Sequence, residues 1–79
     1  MKITAKLFGK LRSHAPPGTE GNVFEEEIDE DAVVEDLLKE WNVPEGITLL
    51  ILVNSAHKGK EHMLQDGDTL AIFPPVAGG

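Results

Sequence analysis

The chain has 79 residues, of which 41% are apolar and 27% charged, a balance that predicts one small folded domain rather than two domains or a disordered chain. Its 7 basic and 14 acidic residues give a net charge of −7, which excludes a general nucleic-acid binder because phosphate contacts need clustered Lys and Arg. The absence of cysteine excludes disulfides, thiolate zinc sites and a cysteine nucleophile. The longest apolar run, Leu49 to Val53, is too short to cross a bilayer, and Met1 leads directly into a strand-like pattern instead of a leader. We therefore expect a cytoplasmic protein that binds neither nucleic acid nor membrane.

The first part of the chain predicts two strands joined by a long connection. Residues from Met1 to Leu7 alternate with the period of a strand that has one buried face, and the inward set is Ile3, Ala5 and Leu7. Phe8 falls on the polar side of this pattern. Prolines and glycines within residues 9–22 indicate a connection, and Asn22 to Ile28 is a second strand. Its glutamates, Glu25 to Glu27, place it at an exposed sheet edge, where charge discourages pairing with other chains.

The clearest element is a helix from Asp31 to Trp41. Its apolar residues recur at helical spacing and form one stripe, consisting of Val33, Val34, Leu37, Leu38 and Trp41. The acidic run from Asp29 to Asp31 predicts a cap and places negative charge at the positive end of the helix dipole. Pro44 and Gly46 predict its end.

Two further strands are predicted after the helix. Thr48 to Asn54 is rich in Leu, Ile and Val and has the length of a buried strand. Residues 55–68 are predicted as a polar connection that ends in a turn at Asp66-Gly67-Asp68. Thr69 to Phe73 is the last strand, and it ends before Pro74, which has no N–H to donate.

The order strand, strand, helix, strand, strand indicates an α+β fold with one helix packed on one face of a mixed β-sheet. A β-grasp roll satisfies this order, with the first and last strands as neighbours in the centre of the sheet. Phe8 and Phe73 would then lie together on the face opposite the inward residues, near the start of the C-terminal segment. Such a patch predicts a partner interface. The alternative is that a loop covers the two rings.

The polar residues show no catalytic or metal-binding pattern. His14, His57 and His62 lack the i, i+4 helical spacing and the cysteine companions of a zinc site, so we expect exposed loop histidines. Asp66 and Asp68 lack the rest of a calcium-binding loop, and the other acidic clusters are explained by the edge strand and the helix start. We therefore expect no metal, no bound cofactor and no catalytic side chain.

The C-terminal segment is the unusual feature of the sequence. Pro74 and Pro75 stiffen the chain into an extended arm as it leaves the last strand. They are followed by two small apolar residues and a diglycine, in the order Val76, Ala77, Gly78 and Gly79. Glycine adds no steric barrier beside a reacting carboxylate, so this arm suits threading into a narrow channel of a partner enzyme. We expect residues 76–79 to be mobile in the isolated protein.

The ending from Asp66 to Gly79, with its Pro-Pro-Val-Ala-Gly-Gly sequence, resembles the family of molybdopterin synthase small subunits, which belongs to the ubiquitin-like sulfur carriers. Ile3 to Arg12 is similar to that family's first strand and turn, Val34 to Leu38 to its helix, and Val53-Asn54 to the end of its third strand. The resemblance covers nearly the whole chain. It implies a single ubiquitin-like β-grasp domain over residues 1–79, with residues 74–79 as a flexible diglycine tail.

The same resemblance implies a reaction cycle at Gly79. An E1-like enzyme would adenylate the Gly79 carboxylate with ATP and Mg²⁺, both of which that partner uses. A sulfurtransferase donor would supply the sulfur, giving a thiocarboxylate. The large subunit of molybdopterin synthase would host its transfer to a pterin precursor, with the tail residues Pro74, Pro75, Val76, Ala77 and Gly78 threaded into the partner active site. On this interpretation the catalytic groups belong to the partners, which leaves open whether the chain alone counts as an enzyme.

Two alternatives remain at the level of the sequence. The carrier could serve another pathway, such as thiamine, cysteine or tungsten-cofactor synthesis. The chain could instead be a ubiquitin-like modifier joined to lysines through Gly79. The Pro74-Pro75-Val76 sequence favours the molybdopterin interpretation by resemblance.

Overall fold

The computed structural model describes residues 1–75. In chain order, the elements are strand β1 (Lys2–Leu7), a 3₁₀ helix (Gly9–His14), strand β2 (Val23–Glu27), helix α1 (Val34–Glu40), and strands β3 (Leu50–Val53), β4 (Ala56–His57) and β5 (Thr69–Phe73). No helix in this part of the chain is both long enough and apolar enough to span a bilayer.

The five strands form one mixed sheet in the order β2-β1-β5-β3-β4. β1 and β5 run parallel, and the other neighbouring strands pair antiparallel. The first and last strands are therefore neighbours, which confirms the predicted topology. The glutamate-rich β2 lies at a sheet edge, as its charge predicted.

The core lies between one face of this sheet and α1. The inward residues of the strands and the apolar stripe of the helix form one buried cluster, whose largest fully buried side chains are Ile3, Leu7, Val34, Leu64, Leu70 and Ile72. Trp41 closes one side of the cluster, where its ring meets Phe24 edge to face, and its Nε1–H donates to Glu26 Oε1 at 2.8 Å. The other face of the sheet carries alternating residues such as Lys2 and Leu50, which are exposed.

Helix α1 begins three residues later than predicted, and the expected cap from Asp29 to Asp31 is wrong. The Val33 N–H donates to Asp36 Oδ2 at 3.0 Å. The next two N–H groups, of Val34 and Glu35, donate to the carbonyl oxygens of His62 and Lys60 at 3.1 and 2.8 Å. A loop distant in sequence therefore supplies the acceptors that a capping side chain usually provides.

The two connections contain short elements that the sequence did not predict. A 3₁₀ helix starts the connection of residues 9–22, and its Leu11 is buried in the core. Strand β4 pairs with β3 across a tight turn at Asn54 and Ser55, whose φ angles are +51° and +71°. Two residues are too few to show a period, so β4 leaves no periodic signal.

The predicted turn at residues 66–68 is confirmed, and it anchors the start of β5. Asp66 Oδ1 accepts from the Lys2 N–H at 2.8 Å. Asp68 is only 7% exposed, and its carboxylate accepts from Asn54 Nδ2 and from the Gln65 N–H, each at 2.8 Å. The Asn54 side chain completes the network by accepting from the N–H of the first β5 residue at 2.9 Å.

Candidate functional site

The C-terminal segment leaves the domain from the central strand of the sheet. β5 ends at Phe73, and Pro74 and Pro75 continue the chain away from it, the first half-buried and the second exposed. Val76, Ala77, Gly78 and Gly79 lie outside the described residues, as does the predicted mobility of residues 76–79. The site that can be described is therefore the surface from which the tail departs.

Phe8 and Phe73 lie side by side at this point. Their rings stack with centroids 4.1 Å apart and planes inclined by 9°. The parallel register pairs Leu7 with Ile72 and so brings the next residue of each strand together on the outer face. The Phe8 N–H also donates to the Ile72 carbonyl oxygen at 3.1 Å. The predicted proximity of the two rings is observed, and both are half-buried, while their role as a partner interface stays a prediction.

Leu50 extends the aromatic pair into a larger apolar surface. The antiparallel register places it directly opposite Phe73, and 45% of it is exposed. With Pro74 these side chains border a shallow groove on the outer face. We call the group Phe8, Leu50, Phe73 and Pro74 the root patch. Leu50 was not predicted as part of this surface, although the inward positions of Ile51 and Val53 imply that Leu50 points outward.

Carboxylates are kept away from the root patch along the outer face. Glu25 and Glu27 lie opposite Thr4 and Lys2, near the start of β1, and each carboxylate is 3.9 Å from Lys2 Nζ. Thr4 is four residues before Phe8, a separation of roughly 13 Å along a strand. The groove beside the root patch is lined mainly by apolar side chains, and no Asp or Glu of the described residues lines it, on a chain whose net charge is −7.

A second groove lies on the other side of the proline pair. Its lining residues come from the 3₁₀ helix, the segment after α1 and the tail itself, and they include Leu11, His14, Pro44, Ile47 and Pro75. Gly9, Pro74 and Pro75 border both grooves. The tail therefore starts on a ridge between two largely apolar depressions.

The histidines are separated from one another. His14 is half-buried, and its Nδ1 is 2.9 Å from the Trp41 carbonyl oxygen. His57 is exposed on β4, and His62 is half-buried in the loop before Met63. Among residues 1–75, no three His, Asp or Glu side chains are grouped so that they could hold a metal ion. The expectation of exposed histidines is thus wrong for His14 and His62, which pack partly against the domain.

The sheet order, the single helix on one face and the tail leaving a central strand define a ubiquitin-like β-grasp protein. Similarity to solved structures agrees with this class. The chain matches a Caldiarchaeum subterraneum ubiquitin with a TM-score of 0.59 at 17% identity, covering 100% of this chain and 98% of the other, a likeness that concerns the fold alone.

The ThiS family model matches residues 5–79. The chain belongs to the ThiS family of ubiquitin-like sulfur carriers. This assignment confirms the sulfur-carrier class that the sequence resemblance predicted. No curated protein matches the sequence.

Three solved structures give more detailed likenesses. A protein described as molybdopterin converting factor subunit 1, from Pyrococcus furiosus, is 30% identical, with a TM-score of 0.71 and coverage of 95% of this chain and 98% of the other. SAMP1 from Haloferax volcanii is 26% identical, with a TM-score of 0.74 and full coverage (100%) of both chains. A complex of molybdopterin-converting factor subunits 1 and 2 from Helicobacter pylori matches at 25% identity, with a TM-score of 0.56 and 100% coverage of both chains.

Proposed function

We propose that this chain carries sulfur on Gly79 as the small subunit of a molybdopterin synthase. The family match that runs through residue 79 carries this proposal. The likeness to a molybdopterin converting factor subunit 1 and to a complex of two such subunits supports the pathway and a large-subunit partner. The Pro-Pro-Val-Ala-Gly-Gly ending supports the same choice by resemblance.

The proposed chemistry has two steps at one carboxyl group. In the first, a Gly79 carboxylate oxygen attacks the α-phosphorus of ATP in an E1-like enzyme, and pyrophosphate leaves. In the second, a hydrosulfide equivalent from a sulfurtransferase attacks the acyl carbon, AMP leaves with the C–O bond electrons, and a thiocarboxylate remains. ATP, Mg²⁺ and the groups that stabilise charge belong to the partner, and the present chain contributes placement of the reacting carbon.

The root patch and the start of the tail support the proposal of a carrier that binds two partners in succession. The root patch offers an apolar contact next to the tail, and large aromatic side chains at such positions commonly dominate binding energy. A partner that covers the patch would receive Pro74 and Pro75 in a direction set by the sheet. We propose that the activating enzyme and the large subunit bind this patch in turn, because one surface cannot hold both at once.

The direct test combines the chain with a cognate E1-like enzyme and ATP. We expect ATP–pyrophosphate exchange, followed by a mass increase of about 16 Da when one carboxyl oxygen is replaced by sulfur. The thiocarboxylated chain, mixed with a large synthase subunit and the pterin precursor, should yield molybdopterin. Formation of only thiazole or cysteine in matched assays would overturn the pathway and leave the carrier chemistry intact.

A second function is favoured by the likeness to SAMP1, which is also described as small archaeal modifier protein 1. A modifier would form an isopeptide bond between its Gly79 carbonyl and a lysine amine on another protein. Mass spectrometry of the chain recovered from cells distinguishes the two outcomes. A free thiocarboxylate supports the carrier, and a C-terminal peptide of this chain joined through Gly79 to a lysine of another protein supports the modifier.

A further inference from the structure

Gly9 makes an unusually close approach to the first residue of the tail. A Cβ built at Gly9 would lie 2.9 Å from Pro74 Cγ and 3.5 Å from Pro74 Cδ. Real Cβ atoms essentially never approach a carbon as closely as 2.9 Å. The Pro74 ring is closed onto its own backbone nitrogen, so Cγ can withdraw only by puckering or by moving the backbone of the tail. The absence of a side chain at Gly9 therefore leaves the space that the Pro74 ring occupies.

The backbone around Gly9 is held in place from several directions. Its φ angle is +57°, in the left-handed region that favours glycine. On one side, Phe8 is bonded to Ile72 through its N–H and stacked on Phe73. On the other side, the 3₁₀ helix is anchored by the buried Leu11, whose N–H donates to the Phe8 carbonyl oxygen at 3.1 Å. The turn at Gly9 is thus a fixed support with little freedom to retreat.

We propose that Gly9 is a positioning residue, which lets Pro74 pack against the domain and so sets the direction in which the chain continues beyond Pro75. The proposal rests on the function proposed above, because the direction matters only if a partner must receive the tail. Gly9 acts on the tail through its contact with Pro74. A side chain at this position pushes the start of the tail away from the sheet while the core remains assembled.

The chain offers a matched control for the backbone cost. Gly21 also has a positive φ angle, +68°, but a Cβ there would meet nothing within 4 Å. Gly9→Ala and Gly21→Ala therefore impose similar conformational strain, and only the first also crowds Pro74. Gly9→Asn is the second test variant, because asparagine enters the left-handed region more readily than alanine and still carries a Cβ.

The kinetic experiment measures ATP–pyrophosphate exchange with the cognate E1-like enzyme. We expect Gly9→Ala and Gly9→Asn to lower kcat by roughly 10- to 100-fold, because a misplacement of about 1 Å at a reacting group can cost on the order of 100-fold. The KM should change much less, since Phe8, Leu50 and Phe73 of the root patch keep their places. Gly21→Ala should match the wild type in both constants. Equal kcat values for the Gly9 and Gly21 variants would overturn the proposal.

A double-mutant cycle tests the contact itself. Pro74→Ala removes Cγ and Cδ, so adding Gly9→Ala to Pro74→Ala should lower kcat no further than Gly21→Ala does in the same background. The same loss from Gly9→Ala in both backgrounds would show that Pro74 is not the neighbour through which it acts.

NMR on the free chain separates failure of this inference from failure of the proposed function. Gly9→Asn should shift the backbone resonances of Pro75 and of residues 76–79, whereas Gly21→Ala should leave them unchanged. Unchanged resonances in the Gly9 variant would overturn the positioning role. If no E1-like enzyme activates the wild-type chain, the proposed function is wrong. The resonance shifts would still decide whether Gly9 positions the tail.

Discussion

The two ends of strand β5 are held by different kinds of contact. At its start, the buried Asp68 carboxylate and the exposed Asn54 side chain form a polar network in which the carboxylate oxygens and the side-chain amide have partners. At its end, Phe73 and Pro74 are held by ring stacking and by close packing against Gly9, and the adjacent surface is apolar and partly exposed. At the start of the strand, the polar groups are hydrogen-bonded within the domain, whereas at its end the root patch is left for contact with another molecule. Stability and binding are therefore expected to respond to changes at opposite ends of one strand.

The largest effect is expected beyond the end of β5, at Gly79. Deleting Gly79 retracts the carboxylate by one residue, about 3.5 Å in an extended chain, and adding a residue advances it by a similar distance. Both changes should abolish ATP–pyrophosphate exchange and thiocarboxylate formation, because the reacting group is displaced in the partner site. Gly78→Val should be nearly as damaging, since a branched side chain restricts the backbone.

Thermal unfolding of these tail variants is the control, and their melting temperatures should match that of the wild type. Normal exchange by the chain lacking Gly79 would show that the terminal carboxylate is not the reacting group.

The next largest effect is expected at the start of the strand, on stability. Asp68→Ala leaves the Asn54 amide and the Gln65 N–H without their acceptors and should cost about 3 kcal/mol of unfolding free energy. Asp66→Ala is the matched control, because it removes the same charge and one exposed hydrogen bond and should cost about 1 kcal/mol or less. Urea denaturation at fixed pH measures both. Equal losses would mean that burial of Asp68 does not distinguish the two carboxylates.

At the opposite end, Phe73→Arg should affect binding more than folding. Loss of the stacked pair should cost about 1 kcal/mol of stability. Placing a charge in the root patch should weaken binding to the activating enzyme and to the large subunit by about 2 kcal/mol, or roughly 30-fold. Calorimetric titration with each partner gives these affinities.

Met63→Arg is the control for this charge change. Met63 is 57% exposed in the loop that pairs with Val33, outside the root patch, so its variant should bind as the wild type does. Unchanged affinity of Phe73→Arg for both partners would exclude the root patch as their interface.

The smallest effect is expected on the helix side of the sheet. Trp41→Phe removes the Nε1–H bond to Glu26, keeps most of the ring contact with Phe24, and should cost about 1 kcal/mol. Activation by the E1-like enzyme should not change. A matching Glu26→Gln variant retains an acceptor oxygen, so a clearly smaller loss in urea denaturation is expected. A larger loss in this variant would assign Glu26 a role beyond accepting from Trp41.

The sequence predicts the fold well where local signals and topology agree. β5 has its predicted bounds because a turn at Asp66 to Asp68 precedes it and Pro74 follows it. The meeting of Phe8 and Phe73 follows from alternation together with the predicted strand order. β4 was not predicted because it consists of only two residues paired with β3. The start of α1 was misplaced because its first N–H groups donate to the carbonyl groups of Lys60 and His62, which are distant in the sequence.

The tail surface could be predicted only in part from the sequence. In the sequence, Gly9 has the features of an ordinary turn residue. Its close approach to Pro74 arises only in the folded chain, which brings segments from opposite ends of the sequence within a few ångströms of each other. Leu50 could have been placed on the outer face from the inward positions of its neighbours. The second groove is lined by segments that are far apart in the sequence, so no local sequence pattern predicts it.

The pairing of β1 with β5 also bears on how the chain acquires its native state. Thr4 pairs with Thr69, so formation of the β1–β5 pair requires two segments distant in the sequence to meet. Such non-local pairing slows folding. Without β5 in place, β1 and β3 would each present an unpaired edge, and Leu70 and Ile72 would be absent from the core. The tail follows directly from the strand that completes this closure. Presentation of the tail on a native surface is therefore coupled to the pairing of β5 in the sheet, and incompletely folded chains should be poor substrates for any enzyme that recognises the tail together with the domain.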